Sequence, residues 1–176
     1  SFPARFGGRL SSVIDVRTND GDMKNYHGVV SVGLLTSKIN FEGPIIKNRT
    51  SFNISARRSY IDLLAKPFMP KDEKYSYYFF DVNAKINHKF SDRSRLFLSA
   101  YNGKDHFMTK YDDTYYGDED KYRDGGKMNW GNTIVSGRWN YIFNNKLFSN
   151  TTVAFNNYKF DVSTFTKNEI HTHNHI

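Results

Sequence analysis

The densest group of side chains able to do chemistry lies in Tyr111 to Tyr122, YDDTYYGDEDKY, where Asp112, Asp113, Asp118, Glu119 and Asp120 are interleaved with Tyr115 and Tyr116. Carboxylate oxygens at that density are what a hard cation such as Ca²⁺ takes as ligands, and exposed Tyr rings can stack on a sugar or an aromatic chelator. The spacing is not that of an EF-hand loop, and a solvated external loop accounts for the same residues. His171, His173 and His175 alternate, so in an extended segment their imidazoles share one side, an arrangement able to take Zn²⁺ or Cu²⁺. A polar loop explains them equally, and no metal site is assigned. Arg57, Arg58, Tyr60 and Asp62 place charge at the end of a strand pattern, where mutual pairing is the simplest role. The sequence has no GxSxG elbow, no HExxH and no phosphate loop, and its carboxylates fall on loops or hydrated faces that would not shift a pKa. The expectation is a protein that is not an enzyme, with no catalytic residue and no cofactor.

Composition narrows the field. At 176 residues the chain has the length of one ordinary domain. It starts mid-pattern at SFPARFGG without an initiator Met and stops at HTHNHI, so it reads as a piece of something longer. No apolar run approaches the ~20 residues of a membrane-spanning helix, whereas a barrel made of alternating strands remains compatible with a mean hydropathy of -0.68. The absence of Cys removes disulfide scaffolds, zinc ribbons and thiol nucleophiles. A net charge of +7 invites a nucleic-acid partner, but Lys85, Lys89, Arg93, Arg95, Arg138 and Lys146 are scattered through alternating positions and turns rather than gathered in a stripe. Nucleic acid is not expected as a partner.

Those residues must be carried by strands. In Tyr77 to Phe90, YYFFDVNAKINHKF, Phe80, Val82, Ala84, Ile86 and Phe90 fall on one face and Asp81, Asn83, Lys85, Asn87 and Lys89 on the other, the period of a β-strand. The pattern recurs at Val30 to Leu34, Ile39 to Phe41, Phe52 to Ala56, Leu96 to Ala100, Val135 to Phe143 and Thr151 to Phe155, which predicts about seven antiparallel strands with no helix between them. Tight turns at Ile46 to Arg49, Ser91 to Ser94 and Asn144 to Lys146 alternate with long loops at Ala65 to Ser76 and Gly103 to Asn129. That alternation suits a transmembrane barrel, with short turns at one end and long loops at the other, and equally a soluble lipocalin-like barrel with its apolar face turned inward. Aromatic residues near strand ends, Tyr78 and Phe80 at one and Phe90, Trp139, Tyr141 and Phe143 at the other, favour the transmembrane form.

The segment FPARFGGRLSSVIDVRTNDG, followed by MKNYHGVVSVGLLTSKINFEGPIIKNRTSFNISARRSYIDLL, RLFLSAYNGKDHF and MNWGNTIVSGRWNYIFNNKLFSNTTVAFNNY, resembles the plug-to-barrel junction of TonB-dependent outer-membrane receptors. The resemblance implies that residues 1–25 are the end of a plug domain and its linker, with Arg5, Gly7, Gly8, Arg9, Ser11 and Ser12 as the plug motif, and that residues 26–176 begin an up-and-down transmembrane barrel of about 22 strands. It implies import of a scarce or bulky nutrient (a siderophore, metal complex, glycan or peptide) across the outer membrane. Outer-membrane lipid, the TonB energy-transduction complex and a surface substrate-binding lipoprotein would be its partners. Lys38, Asn40, Glu42, Asn53, Arg57, Asp81, Asn83, Lys85, Arg138 and Asn140 would face the lumen, and Asp112, Asp113, Tyr115, Tyr116, Asp118 and Asp120 an external loop. The alternative from another class is a soluble β-barrel that binds a small ligand.

Overall fold

The computed structural model describes residues 18–70, 73–114 and 121–169. The alternating segments form β1 (His27–Val32), β2 (Thr36–Ile46), β3 (Thr50–Ser59), β4 (Glu73–Ser91), β5 (Ser94–Thr114), β6 (Lys121–Asn144) and β7 (Leu147–Glu169). They pair in chain order as one seven-stranded antiparallel sheet. Where no helix is expected, a short α1 (Ile61–Ala65) and a 3-10 turn over Lys66–Phe68 connect β3 to β4. Pro67 starts that turn, where a missing N–H costs nothing.

Local chemistry sets the register. Between β2 and β3, Asn48 takes the left-handed conformation, φ 60°, that Asn tolerates better than most residues, and Arg49 N–H closes the turn on Ile46 O at 3.0 Å. Between β4 and β5, Ser91 Oγ accepts from Arg93 N at 3.2 Å, and between β6 and β7 Asn144 Oδ1 accepts from Lys146 N at 2.9 Å. These are the tight turns expected from the sequence. The segment Gly103 to Asn129 differs from expectation, since β5 and β6 continue through most of it as one long hairpin paired from Ser94↔Tyr141 to Thr114↔Lys121.

Registration across the sheet separates two faces. One carries Val30, Ile39, Ile54, Val82, Ile86, Leu98, Val135, Val153 and Phe155 across its middle, and the other carries the amides and charges. No second layer covers the first face among the described residues: Val82 in the centre of the sheet is 40% exposed and Val153 on the last strand 72%. The large apolar side chain buried among the described residues is Phe97, 6% exposed, and it sits on the polar face. There the Arg138 guanidinium lies 4.3 Å from its ring centroid and the Lys85 ammonium 5.7 Å, so the cationic stems exclude water while the charges stay over the π-face. The leading segment is pinned to the same face. Ser51 Oγ donates to Asp20 O at 2.9 Å, Lys85 Nζ to Thr18 O at 3.0 Å, and Asn19 Nδ2 to Glu42 Oε2 at 2.7 Å. Lys85 also pairs with Asp20. Gly21, φ 81°, passes so close to Phe52 O that a Cβ there would clash.

The expected transmembrane β-barrel is corrected by this topology. Among the described residues the strand order runs from β1 to β7 without closure, so β1 and β7 stand at the edges of the described sheet. A free edge leaves backbone N–H and C=O groups unpaired, and in hydrocarbon each such group costs several kcal/mol, which is why only closed sheets span a bilayer. Of the two readings, this open all-β sheet backs the small-ligand-binding alternative better than the transmembrane one, although its strands are not closed into a barrel among the described residues. An outer-membrane location, lipid as a partner, coupling to a TonB complex and docking of a surface lipoprotein were each expected from a closed barrel, and the open sheet gives none of them support. No helix among the described residues is long and apolar enough to cross a membrane. The residues named for the plug motif, Arg5 to Ser12, lie outside the described residues.

With so little apolar burial, stability should be unevenly distributed. Phe97→Ala is expected to cost about 3 kcal/mol, and Val153→Ala about 0.5 kcal/mol or less. Urea midpoints at constant slope measure both, and equal losses would contradict this description of the packing.

Candidate ligand-binding depression

The apolar face does not stay apolar along its full length. Strands of 19 to 24 residues, β4 to β7, run well past the apolar middle, and the register then sets three polar rows side by side. Val82, Asn102, Thr133 and Asn157 form the first, Phe80, Lys104, Gly131 and Lys159 the second, and Tyr78, His106, Asn129 and Asp161 the third. The transition is abrupt because the neighbouring row is Ala84, Ala100, Val135 and Phe155.

Gly131 makes this region concave. Its neighbours in the row project long side chains and it projects none, so the Lys104 stem leans over it, Cγ 3.2 Å from where a Cβ would stand, beside a depression of about 440 Å³ lined by these rows. A Cβ at this position would come within 2.9 Å of Gly103 O, so glycine is also required by the close approach of β5 and β6. Around the gap the polar groups are held in place. Asn102 Nδ2 donates to Thr133 Oγ1 at 2.7 Å, and His106 Nδ1 meets Asn129 Oδ1 at 2.5 Å. An amide oxygen can only accept, so Nδ1 carries the proton in that contact and Nε2 is the free ring atom. The His106 ring lies 4.9 Å from Tyr78, and the Arg58 guanidinium lies 5.5 Å from the same Tyr ring. Lys104 and Lys159 form no ion pair among the described residues.

The residues expected to line a lumen are placed together on the opposite, polar face: Lys38, Asn40 and Glu42 on β2, Asn53 and Arg57 on β3, Asp81, Asn83 and Lys85 on β4, and Arg138 and Asn140 on β6. Several are engaged with one another. Asn53 Nδ2 donates to Glu42 Oε2 at 2.8 Å, and Arg57 grips Asp81 through Nε at 2.8 Å and Nη2 at 2.7 Å. Asn87 Oδ1, Asn132 Oδ1, Arg138 Nε and Asn140 Oδ1 on this face are shielded and unpartnered. Next to the Arg57–Asp81 pair, Tyr77 donates to Asp105 Oδ1 at 3.0 Å and stacks on Trp130. Burial raises the Tyr77 phenol above its ordinary value, and the Asp105 carboxylate raises it further.

Other sequence candidates are not assembled into a site. Asp112 and Asp113 fall in the last residues of β5 rather than in a loop. Tyr115, Tyr116, Asp118 and Asp120 lie outside the described residues, as do His171, His173 and His175. No group of side chains able to hold a metal ion occurs among the described residues. Lys104, His106 and Asn129 are absent from the sequence candidates because Gly103 to Asn129 reads as a loop, and Gly131, Lys159 and Asp161 because only the register of β5, β6 and β7 brings them beside those residues. The period of two in KDHFMTK is the signal that places Lys104 and His106 on one strand face.

No family model, curated protein or solved structure matches this chain. The resemblance to TonB-dependent receptors is therefore corrected along with the barrel: neither the topology nor any relative supports nutrient import by such a receptor.

Tyr77 supplies a direct check on the polar cluster. In an ultraviolet titration, subtracting Tyr77→Phe from the parent should reveal a phenolate forming above the ordinary value of about 10, and Asp105→Asn should bring it part of the way back. Because the raised group is protonated when folded, its contribution to stability is complete below about pH 10 and is lost as pH rises through the folded value. A Tyr77 titrating at the ordinary value would show that the contact with Asp105 and the burial do not hold in solution.

Proposed function

We propose that this chain is a non-catalytic binding module that holds a small polar ligand in the depression over Gly131. The observation that carries this reading is the depression itself. Its volume of about 440 Å³ falls in the range of small-ligand sites. Its walls combine hydrogen-bonded amide and hydroxyl groups, Asn102, Thr133 and Asn129, and the exposed amide of Asn157 with the rings of Tyr78 and Phe80. Amides that hold one another leave their remaining donors and acceptors oriented, so a ligand pays little to order them. Rings beside such groups suit a molecule with hydroxyls on its edge and C–H bonds on its face, as a sugar has.

The site is open on one side, which limits affinity. At about -0.3 kcal/mol per heavy atom, a ligand of about 15 atoms gains about -4.5 kcal/mol, a Kd of about 0.5 mM. Saturation-transfer NMR on the full chain with a panel of monosaccharides and sugar phosphates tests the proposal. At least one is expected to bind, and Asn129→Leu, which removes the partner of His106, should weaken it at least fivefold with an unchanged circular dichroism spectrum. Binding that Asn129→Leu leaves intact would place the ligand elsewhere, and a panel that yields no binder would refute the reading.

A further inference from the structure

Resting on that reading, we infer that the ligand is anionic, a small molecule carrying a phosphate monoester whose oxygens sit over Gly131 between Lys104 and Lys159. The register places Arg58, Phe80, Lys104, Gly131 and Lys159 in one line across the sheet. Lys104 and Lys159 stand two strand spacings apart, about 10 Å at the backbone, with the side-chain-free position between them. Two flexible ammonium groups can therefore close on one group from both sides, each donating to a different oxygen.

The charges around the gap favour an anion over a neutral sugar. Arg58 is held over Tyr78, but Lys104 and Lys159 are exposed and without ion-pair partners among the described residues. Asp161 is the carboxylate that lines the depression from the same face, while Asp105 is turned to the other face and engaged by Tyr77. The lining of this face thus carries a surplus of positive charge before His106 is counted. A Lys on an edge strand can also serve to discourage pairing with another sheet, which would account for Lys159 on β7. It does not account for Lys104, which lies inside the sheet between paired strands.

Isothermal titration of the full chain with glucose 6-phosphate, glucose and glucuronate at 50 mM salt separates the possibilities. Glucose 6-phosphate should bind about tenfold more tightly than glucose, as one charge-assisted contact predicts, with glucuronate between them. Lys104→Gln and Lys159→Gln should each cost glucose 6-phosphate about fivefold or more and cost glucose distinctly less, so that the preference for the phosphate shrinks, while Lys104→Arg should retain most of the affinity. Equal binding of glucose and its phosphate would overturn the anion assignment and leave the binding module standing. If Lys146→Gln, at the far turn, cost as much as Lys104→Gln, attraction would be diffuse and the assignment would fail. Absence of binding by all three would overturn both.

Discussion

The structure depends on an antiparallel ladder that joins all seven strands in chain order. A sheet with one large buried apolar side chain among its described residues cannot draw its order from a hydrophobic core. What fixes each strand is instead the pairing of backbone groups with a neighbour along most of β2 to β6, with shifts beside the tight turns, reinforced by cross-strand side-chain pairs such as Arg57 with Asp81 and Ser99 with Ser136. Because side chains alternate, that ladder also decides which chemistry appears on which side. A slip of one residue between β5 and β6 would exchange Lys104 with Asp105 and place Phe97 on the opposite face.

From this constraint follow two unlike surfaces. On the polar face, long side chains lie over their neighbours and the leading segment is tied down by Lys85, Ser51 and Glu42. Burial is greatest there, and it involves amides, hydroxyls and one cation-capped Phe. On the other face the middle of the sheet presents Val, Ile, Leu and Phe to the surroundings, an area larger than an isolated protein usually leaves open. Beyond that band the same face turns polar, and one missing side chain at Gly131 is enough to make a concave site. The depression therefore costs the sheet nothing in backbone hydrogen bonds, since β5, β6 and β7 stay paired beneath it.

Strands and turns were the legible part of the sequence. Alternation in YYFFDVNAKINHKF and the polar residues at Asn48, Asp92 and Asn145 locate β4 and the tight turns, because a period of two and left-handed or side-chain-capped turns are local properties. Closure was not legible, since alternation is identical in an open and a closed sheet and only the pairing of β1 with β7 would distinguish them. Nor was the long β5–β6 hairpin, where KDHFMTK and GGKMNWGN alternate between kinds of polar residue rather than between polar and apolar, and glycines at 125, 126 and 131 imitate a loop. The helical turn at Ile61–Ala65 is too short to show a period. The candidate site was missed for the same reason as the hairpin: its residues belong together only when β5, β6 and β7 are in register.

Mapping backbone amide shifts while glucose 6-phosphate is added tests most directly that this register builds a ligand site. The account predicts shifts concentrated at Asn102 to His106, Asn129 to Thr133 and Asn157 to Asp161, on three strands distant in sequence and adjacent in the sheet. Shifts confined to the polar face around Arg57, Asp81 and Arg138, or spread evenly over basic residues, would contradict it.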